Sequence, residues 1–380
     1  METKRNKWRH TGFLAFFFSG ICAISSGVIV SILQETYGFA YSTTGTLLSL
    51  MSIGNLAAGF ASGILPGKIG MKKAAVILTA GYGIGYLMMG LSGWIVLLML
   101  SFFLAGIAKG STINICTILV GDNSADRTKG MNLMHSFYAL GALLCPFIIA
   151  AASGIGTAVP MFVLALCGAF LWLAFAVTPL ETKDKKSSAH TDWSFLKNKK
   201  FWLLTGLIFC QNAAETSVTG WMVTYFKGSG IITGTLSAYT VTVMWGATLI
   251  ARLLIAFLIP LKNAYSAMTR MSICCIIFYL GLMMAETQTA AILLLFAFAF
   301  SMAGMNPTAI ACAGRMTSVT SMGVMLPAAS SGAILMPWLI GLIAEHAGIS
   351  IGMASNIIPC AGMLAFCMTV RRLTAQKEAV

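Results

Sequence analysis

The run AAILLLFAFAF, residues 290–300, carries no charge and no alternation of apolar with polar positions. A strand crossing a membrane needs such a period of two, because one face meets lipid and the other the lumen of a closed barrel. A helix satisfies its own backbone and needs only an unbroken apolar stretch. The run is therefore expected to be part of a transmembrane helix, and the same reading extends along the whole chain.

The 380 residues are 58% hydrophobic and 9% charged, with a mean hydropathy of +0.86. Soluble domains carry about a quarter charged residues. A hydrocarbon core about 30 Å thick takes about 20 apolar residues per helix. The expected spans are 11–35, 42–65, 73–93, 95–119, 130–152, 157–178, 201–226, 235–260, 265–286, 288–313, 318–344 and 349–370. The fold class is thus an all-α membrane protein with twelve transmembrane helices. The first run has a basic flank but no small-residue cleavage site, and reads as a retained span rather than a signal peptide.

A net charge of +13 could point to nucleic acid. The positions of the 24 Lys and Arg argue otherwise. With the N-terminus inside, Lys227 alone falls outside and Lys109 and Arg252 fall within spans, while all the others lie on the inner side. This is the positive-inside pattern, and it puts both termini in the cytoplasm of a multi-pass protein of the cell membrane. The charge reports topology and contact with the lipid bilayer, and no nucleic-acid partner is expected.

The one long polar stretch, PLETKDKKSSAHTDWSFLKNKK at 179–200, divides the chain into halves at 1–178 and 201–380 and reads as a cytoplasmic linker. The halves share a signature. LGALLCPF at 140–147 and SGAILMPW at 331–338 each fall in the fifth span of their half, with Gly141 and Pro146 matching Gly332 and Pro337 at the same offset. Two parallel six-helix repeats with a substrate site near the midplane are a common plan in secondary transporters. GYGIG at 81–85 lacks the strand and final glycine of a dinucleotide fingerprint and reads as a helix-packing face. No Walker sequence is found. The ten cysteines and four histidines are scattered without disulfide or metal spacing. No enzyme activity, cofactor or metal is expected, and transport would draw on a gradient.

The stretch GILPGKIGMKK at 63–73 resembles the signature loop of the major facilitator superfamily, with Gly63, Leu65, Lys68 and Gly70 in place and Gly67 where the family usually has Asp. That Asp normally joins a charge relay that latches the cytoplasmic side. Within the superfamily, NLMHSFYALGALLCPF at 132–147, QNAAETSVTGWMVTYF at 211–226 and SGAILMPWLIGLIAEHAG at 331–348 resemble the fucose permease group and its sodium-dependent glucose transporter-like relatives. The resemblance implies sugar transport coupled to an ion. It also implies that the first and fourth helices of each half line a central cavity. That branch tends to carry an acid near the position of Lys109, so its proton chemistry need not transfer unchanged.

Ionisable residues inside spans are costly and default to functional candidates. Arg252, about 26 Å into its span, is expected near the inner face in a structural role. His135 either lines an inner vestibule or packs. Glu215 and Lys109 each lie about 21 Å into their spans, from opposite sides of the membrane. Their axial gap of about 12 Å argues against a fixed salt bridge. Glu215 could carry a coupling proton, binding it when the site is dry and releasing it when wet, or could accept hydrogen bonds from sugar hydroxyls. A structural pair with Lys109 is the third reading. Sugar sites combine hydrogen-bonding side chains with aromatic faces. Gln211, Asn212, Trp221 and Tyr225, with Asn132, Tyr138, Asn114 and Asn306, supply that mixture, although packing roles suit each equally. Asn212, Glu215 and Thr219 share a helix face.

The expectation is a secondary transporter of a sugar or polyol working by alternating access, with H+ or Na+ symport through Glu215. Lys109 supports an organic-anion transporter as the alternative, and the 24 Met an exporter of amphipathic compounds. A non-transporting membrane sensor is disfavoured because no soluble domain is appended.

Overall fold

The computed structural model describes residues 2–125, 127–180, 194–258, 263–314 and 319–378, and these are helical with no strand among them. They form two compact units, Met1–Lys186 and Ser187–Val380. Residues 181–193, most of the expected linker, lie outside the described residues. Its end forms a single 3-10 turn at Ser194–Lys197.

The first unit comprises α1 (Glu2–Ile24), α2 (Ser26–Tyr37), α3 (Tyr41–Ile69), α4 (Met71–Leu91), α5 (Ile95–Asn123), α6 (Arg127–Ser153) and α7 (Val159–Val177). α5 packs against α3 and α4, α4 also packs on α7, and α1 packs on α6, α5 and α7. The second unit comprises α8 (Lys199–Ser229), α9 (Tyr239–Phe257), α10 (Ala264–Met283), α11 (Gln288–Met302), α12 (Met305–Gly314), α13 (Val319–Ser330), α14 (Gly332–Ala347), α15 (Ile349–Ala354) and α16 (Ile357–Glu378). Here α8 is central, in contact with α9 and with α12 through α16.

Ten helices among the described residues are long and apolar enough to cross a membrane, and Tyr239–Ile255 is a shorter apolar helix. The 31-residue α8 is not among the ten. At 1.5 Å per residue it is about 46 Å long, so length does not exclude it. Its hydropathy is diluted by Gln211, Asn212, Glu215, Thr216 and Thr219.

Small residues set the helix spacing. A Cβ on Gly141 of α6 would collide with the carbonyl oxygen of Phe17 on α1, and one on Gly332 at the start of α14 would collide with that of Phe209 on α8. The matched glycines thus make the matched contact in each unit, where backbones must approach closely. On α4, Gly81 and Gly85 likewise face the carbonyls of Leu104 and Ser101 on α5, so GYGIG is a packing face.

Four expected spans are interrupted. α1 and α2 meet at Ser25, α13 and α14 at Ser331, and α15 and α16 at Ser355–Asn356. At each a serine hydroxyl donates to the carbonyl three residues back: Ser25 to Cys22 (2.8 Å), Ser331 to Ala328 (2.6 Å) and Ser355 to Gly352 (2.6 Å). A serine that bonds its own backbone competes with the helical ladder and stabilises a local irregularity. Tyrosines support two of them: Tyr86 Oη donates to the Cys22 carbonyl, and Tyr279 Oη donates to that of Met353 at 2.6 Å. The fourth break, at Ala303–Gly304, separates α11 from α12.

Candidate functional site

α8 carries the main polar cluster of the second unit. Its first turn is capped by Asn198, whose side chain accepts from the Lys200 amide at 3.0 Å. Three turns further in, Gln211 (2% exposed) donates through Nε2 to Glu215 Oε2 one turn ahead. Its Oε1 accepts from Asn306 Nδ2 at 2.7 Å. The same Asn306 Nδ2 donates to Asn212 Oδ1 at 3.2 Å, and Asn212 Nδ2 donates to the Ala329 carbonyl at 3.2 Å. One carboxylate and three carboxamides thereby join α8 to the first turn of α12 and the last turn of α13. Asn356, at the α15–α16 break, adds a bond from Nδ2 to the Ala214 carbonyl at 3.4 Å.

The expected grouping of Asn212, Glu215 and Thr219 divides. Glu215 bonds Gln211, four residues back, while Thr219 Oγ1 reaches Met244 Sδ of α9 at 3.6 Å. Asn212 joins the cluster through Asn306 and turns its amide to Ala329. Trp221 is 0% and Tyr225 2% exposed. The Trp221 indole donates to the Pro337 carbonyl at 2.9 Å, and the Tyr225 ring lies 5.2 Å from that of Phe226. Both side chains are buried against neighbouring groups.

Residues 234–237 form a 3-10 turn and α9 starts at Tyr239, so Arg252 lies about 20 Å along that helix. Its Nε donates to the Ala303 carbonyl at 3.4 Å, at the α11–α12 break, where a helix interruption leaves a carbonyl to be satisfied.

In the first unit, Lys109 is half-buried on α5 beside Gly110, whose missing side chain lets α5 close on Asn55 of α3. Asn114 Nδ2, one turn further, donates to Ser62 Oγ at 2.7 Å and ties α5 to α3. Tyr138 is half-buried on α6 with its ring 5.2 Å from that of Phe16, and Phe16 also meets the exposed His135 edge-on at 5.3 Å. Asn132 lies on the same helix, but its side chain is outside the described residues. Lys68 is exposed near the end of α3, and Gly70 turns the chain into α4 with φ 86° and ψ 151°, a conformation essentially reserved for glycine. Nothing lies within 4 Å of a Cβ built on Gly67, so the position usually held by Asp has room for one. Pro146 sits inside an unbroken α6, and Pro337 inside α14.

Sequence reasoning missed the serine-stabilised breaks and the Ala329 carbonyl as a cluster member. The signal was present in the Ser-Ser-Gly triplets at 25–27 and 330–332, each embedded in an apolar run.

Among the described residues no group of three or more His, Cys, Asp or Glu could hold a metal ion. Known proteins give the following similarities. A family model described as Major Facilitator Superfamily matches residues 12–337. The curated protein "Probable sulfoacetate transporter SauU" of Cupriavidus necator is 24% identical over 238 residues, which is 56% of this chain and 55% of that one, so the chain spans about half the length of this relative. Among solved structures, the nucleoside transporter NupG superposes with a TM-score of 0.75 at 17% identity, covering 98% of this chain and 99% of that one. A bacterial homolog of the human lysosomal transporter Spinster, inward-facing and occupied, gives 0.73 at 12% identity over 97% and 96%. At these identities the structures speak for the fold alone.

Proposed function

The chain belongs to the Major Facilitator Superfamily of membrane transporters, and on that premise we propose that it moves a small neutral polar solute, a sugar or polyol, by alternating access with symport of H+ or Na+ through Glu215. In this reading α8 and α9 join the ten long apolar helices to make twelve spans, with both termini cytoplasmic. The observation that carries the proposal is the bonding of Glu215 within a carboxamide cluster on a membrane helix. An ionisable group at this depth is costly unless it has work to do, and carboxamides with a carboxylate offer the mixed donors and acceptors that hydroxylated solutes need. The resemblance of residues 132–147, 211–226 and 331–348 to the fucose permease group favours the sugar class.

A second reading, transport of a small organic anion, is favoured by the half-buried Lys109 and by the name of the Cupriavidus necator relative. A thermal-shift screen of purified protein against sugars, polyols, carboxylates and sulfonates separates the two, and Lys109→Ala weakens binding only if the solute is anionic. The coupling role is tested in proteoliposomes. Glu215→Gln is expected to abolish uphill accumulation while counterflow exchange persists, and intact uphill uptake would refute it.

A further inference from the structure

The cluster on α8 has a polarity. A carboxamide has one accepting and one donating end, whereas an ionised carboxylate and a backbone carbonyl only accept. The chain from Glu215 through Gln211, Asn306 and Asn212 to Ala329 begins and ends on acceptors. Such a chain is consistent only if one member donates in both directions. That member is Asn306, whose Nδ2 gives its two hydrogens to Gln211 Oε1 and Asn212 Oδ1.

Two members of this chain, its middle donor and its last acceptor, lie beside helix discontinuities. Asn306 is the second residue of α12, just past the break at Ala303–Gly304, and Ala329 lies two residues before the break at Ser331. We propose that Asn306 is a positioning residue through which the accepting oxygen of Glu215 that faces Gln211 holds the α13–α14 break, and that a proton on this oxygen releases the Ala329 carbonyl. The proposal rests on Glu215 being the coupling group.

The steps are local. A proton from water on Oε2, the oxygen facing Gln211, makes that oxygen a donor against the donor Nε2. Gln211 then turns its Oε1 to Glu215 and its Nε2 to Asn306. Asn306 must answer with its oxygen, Oδ1, and this oxygen now also faces Asn212. Asn212 turns its Nδ2 inward to meet it and presents Oδ1 to the Ala329 carbonyl, where two acceptors repel. The Asn212–Ala329 bond is lost, and α13 is no longer tied to α8 at its break.

Other charged groups on the elements packed against α8 are accounted for elsewhere. Arg252 of α9 donates to Ala303. Glu345 and His346 lie in the last turn of α14, about 20 Å along the helix from Ser331. Arg371, Arg372, Lys377 and Glu378 occupy the C-terminal part of α16, Lys197 the turn before α8, and α12, α13 and α15 carry no charged residue. The neighbouring titratable Cys312, Cys360 and Cys367 are buried thiols, and Tyr239 begins α9.

The test is hydrogen–deuterium exchange of the full chain in lipid nanodiscs between about pH 3 and 8, a window that includes the ordinary carboxylate range, corrected for intrinsic exchange rates and read on peptides covering 326–336. In the native protein, protection at the break falls at low pH by about fivefold to tenfold, as for the loss of one buried hydrogen bond. Glu215→Gln keeps the polarity at every pH and removes the dependence. Asn306→Leu cuts the chain and Asn306→Asp offers only acceptors, so both leave the break deprotected at all pH values. Exchange at α10 and α11 checks that each variant is folded. A purely structural Asn306 would lower protection but leave the pH profile in place. Survival of the profile in both Asn306 variants, or its absence from the native protein, overturns the proposal. Uphill transport by Glu215→Gln is a separate readout: if it persists, the coupling role fails while the exchange data still decide the hydrogen-bond chain.

Discussion

Glu215 and Trp221 lie six residues apart on one helix, and their surroundings assign them different work. Glu215 is half-buried and bonded to the Gln211 amide, whereas Trp221 is fully buried and donates to the Pro337 carbonyl. Trp221→Phe should therefore lower the melting temperature, losing about 1 kcal/mol with the hydrogen bond, and leave the KM for the transported solute unchanged. A large rise in KM with unaltered melting would restore Trp221 to the binding site. Glycines divide in the same way. Gly332→Ala forces a methyl against the Phe209 carbonyl and should cost about 1–3 kcal/mol. Gly67→Ala, with open space around it inside α3, should be neutral or stabilising by up to about 1 kcal/mol. Thermal melts of the two variants side by side check the contrast.

At the level of elements, the membrane helices are built with designed interruptions. Breaks expose carbonyls that lipid cannot satisfy, so each must find a donor within the protein. Serines supply the local donor at three breaks, and Tyr86, Tyr279 and Arg252 reach breaks from neighbouring helices. Tyr279→Phe removes the donor to Met353 and should cost about 1–3 kcal/mol. Its mark is local: exchange rises over residues 349–358 while α8 keeps its protection. A uniform loss of protection across the second unit would show that Tyr279 supports the whole unit rather than the α15–α16 break.

Over the whole molecule, each unit repeats one device, a glycine that lets two helices close on each other: Gly141 of α6 on Phe17 of α1, and Gly332 of α14 on Phe209 of α8. The charge asymmetry predicts how the units lie across the membrane. In intact cells a membrane-impermeant maleimide should label Lys227→Cys, whereas Lys197→Cys should react only after permeabilisation; the reverse pattern would invert the topology.

Residue types and their order alone determined the helical class, the long apolar helices and the matched Gly–Pro signatures, because lipid imposes rules on composition and backbone satisfaction that any spanning segment must obey. Gln211, Asn306 and Glu215 were legible as candidates for the same reason, since polar residues in hydrocarbon stand out against their surroundings. Tertiary structure alone decided their connections. Gln211 rather than Asn212 bonds Glu215, Asn306 reaches across from another helix, and Ala329 becomes a partner only because its helix is interrupted beside α8. Hydrogen bonds depend on direction as well as spacing, and those directions are set when rotamers lock against neighbouring helices, about 90 to 120 residues away in the chain.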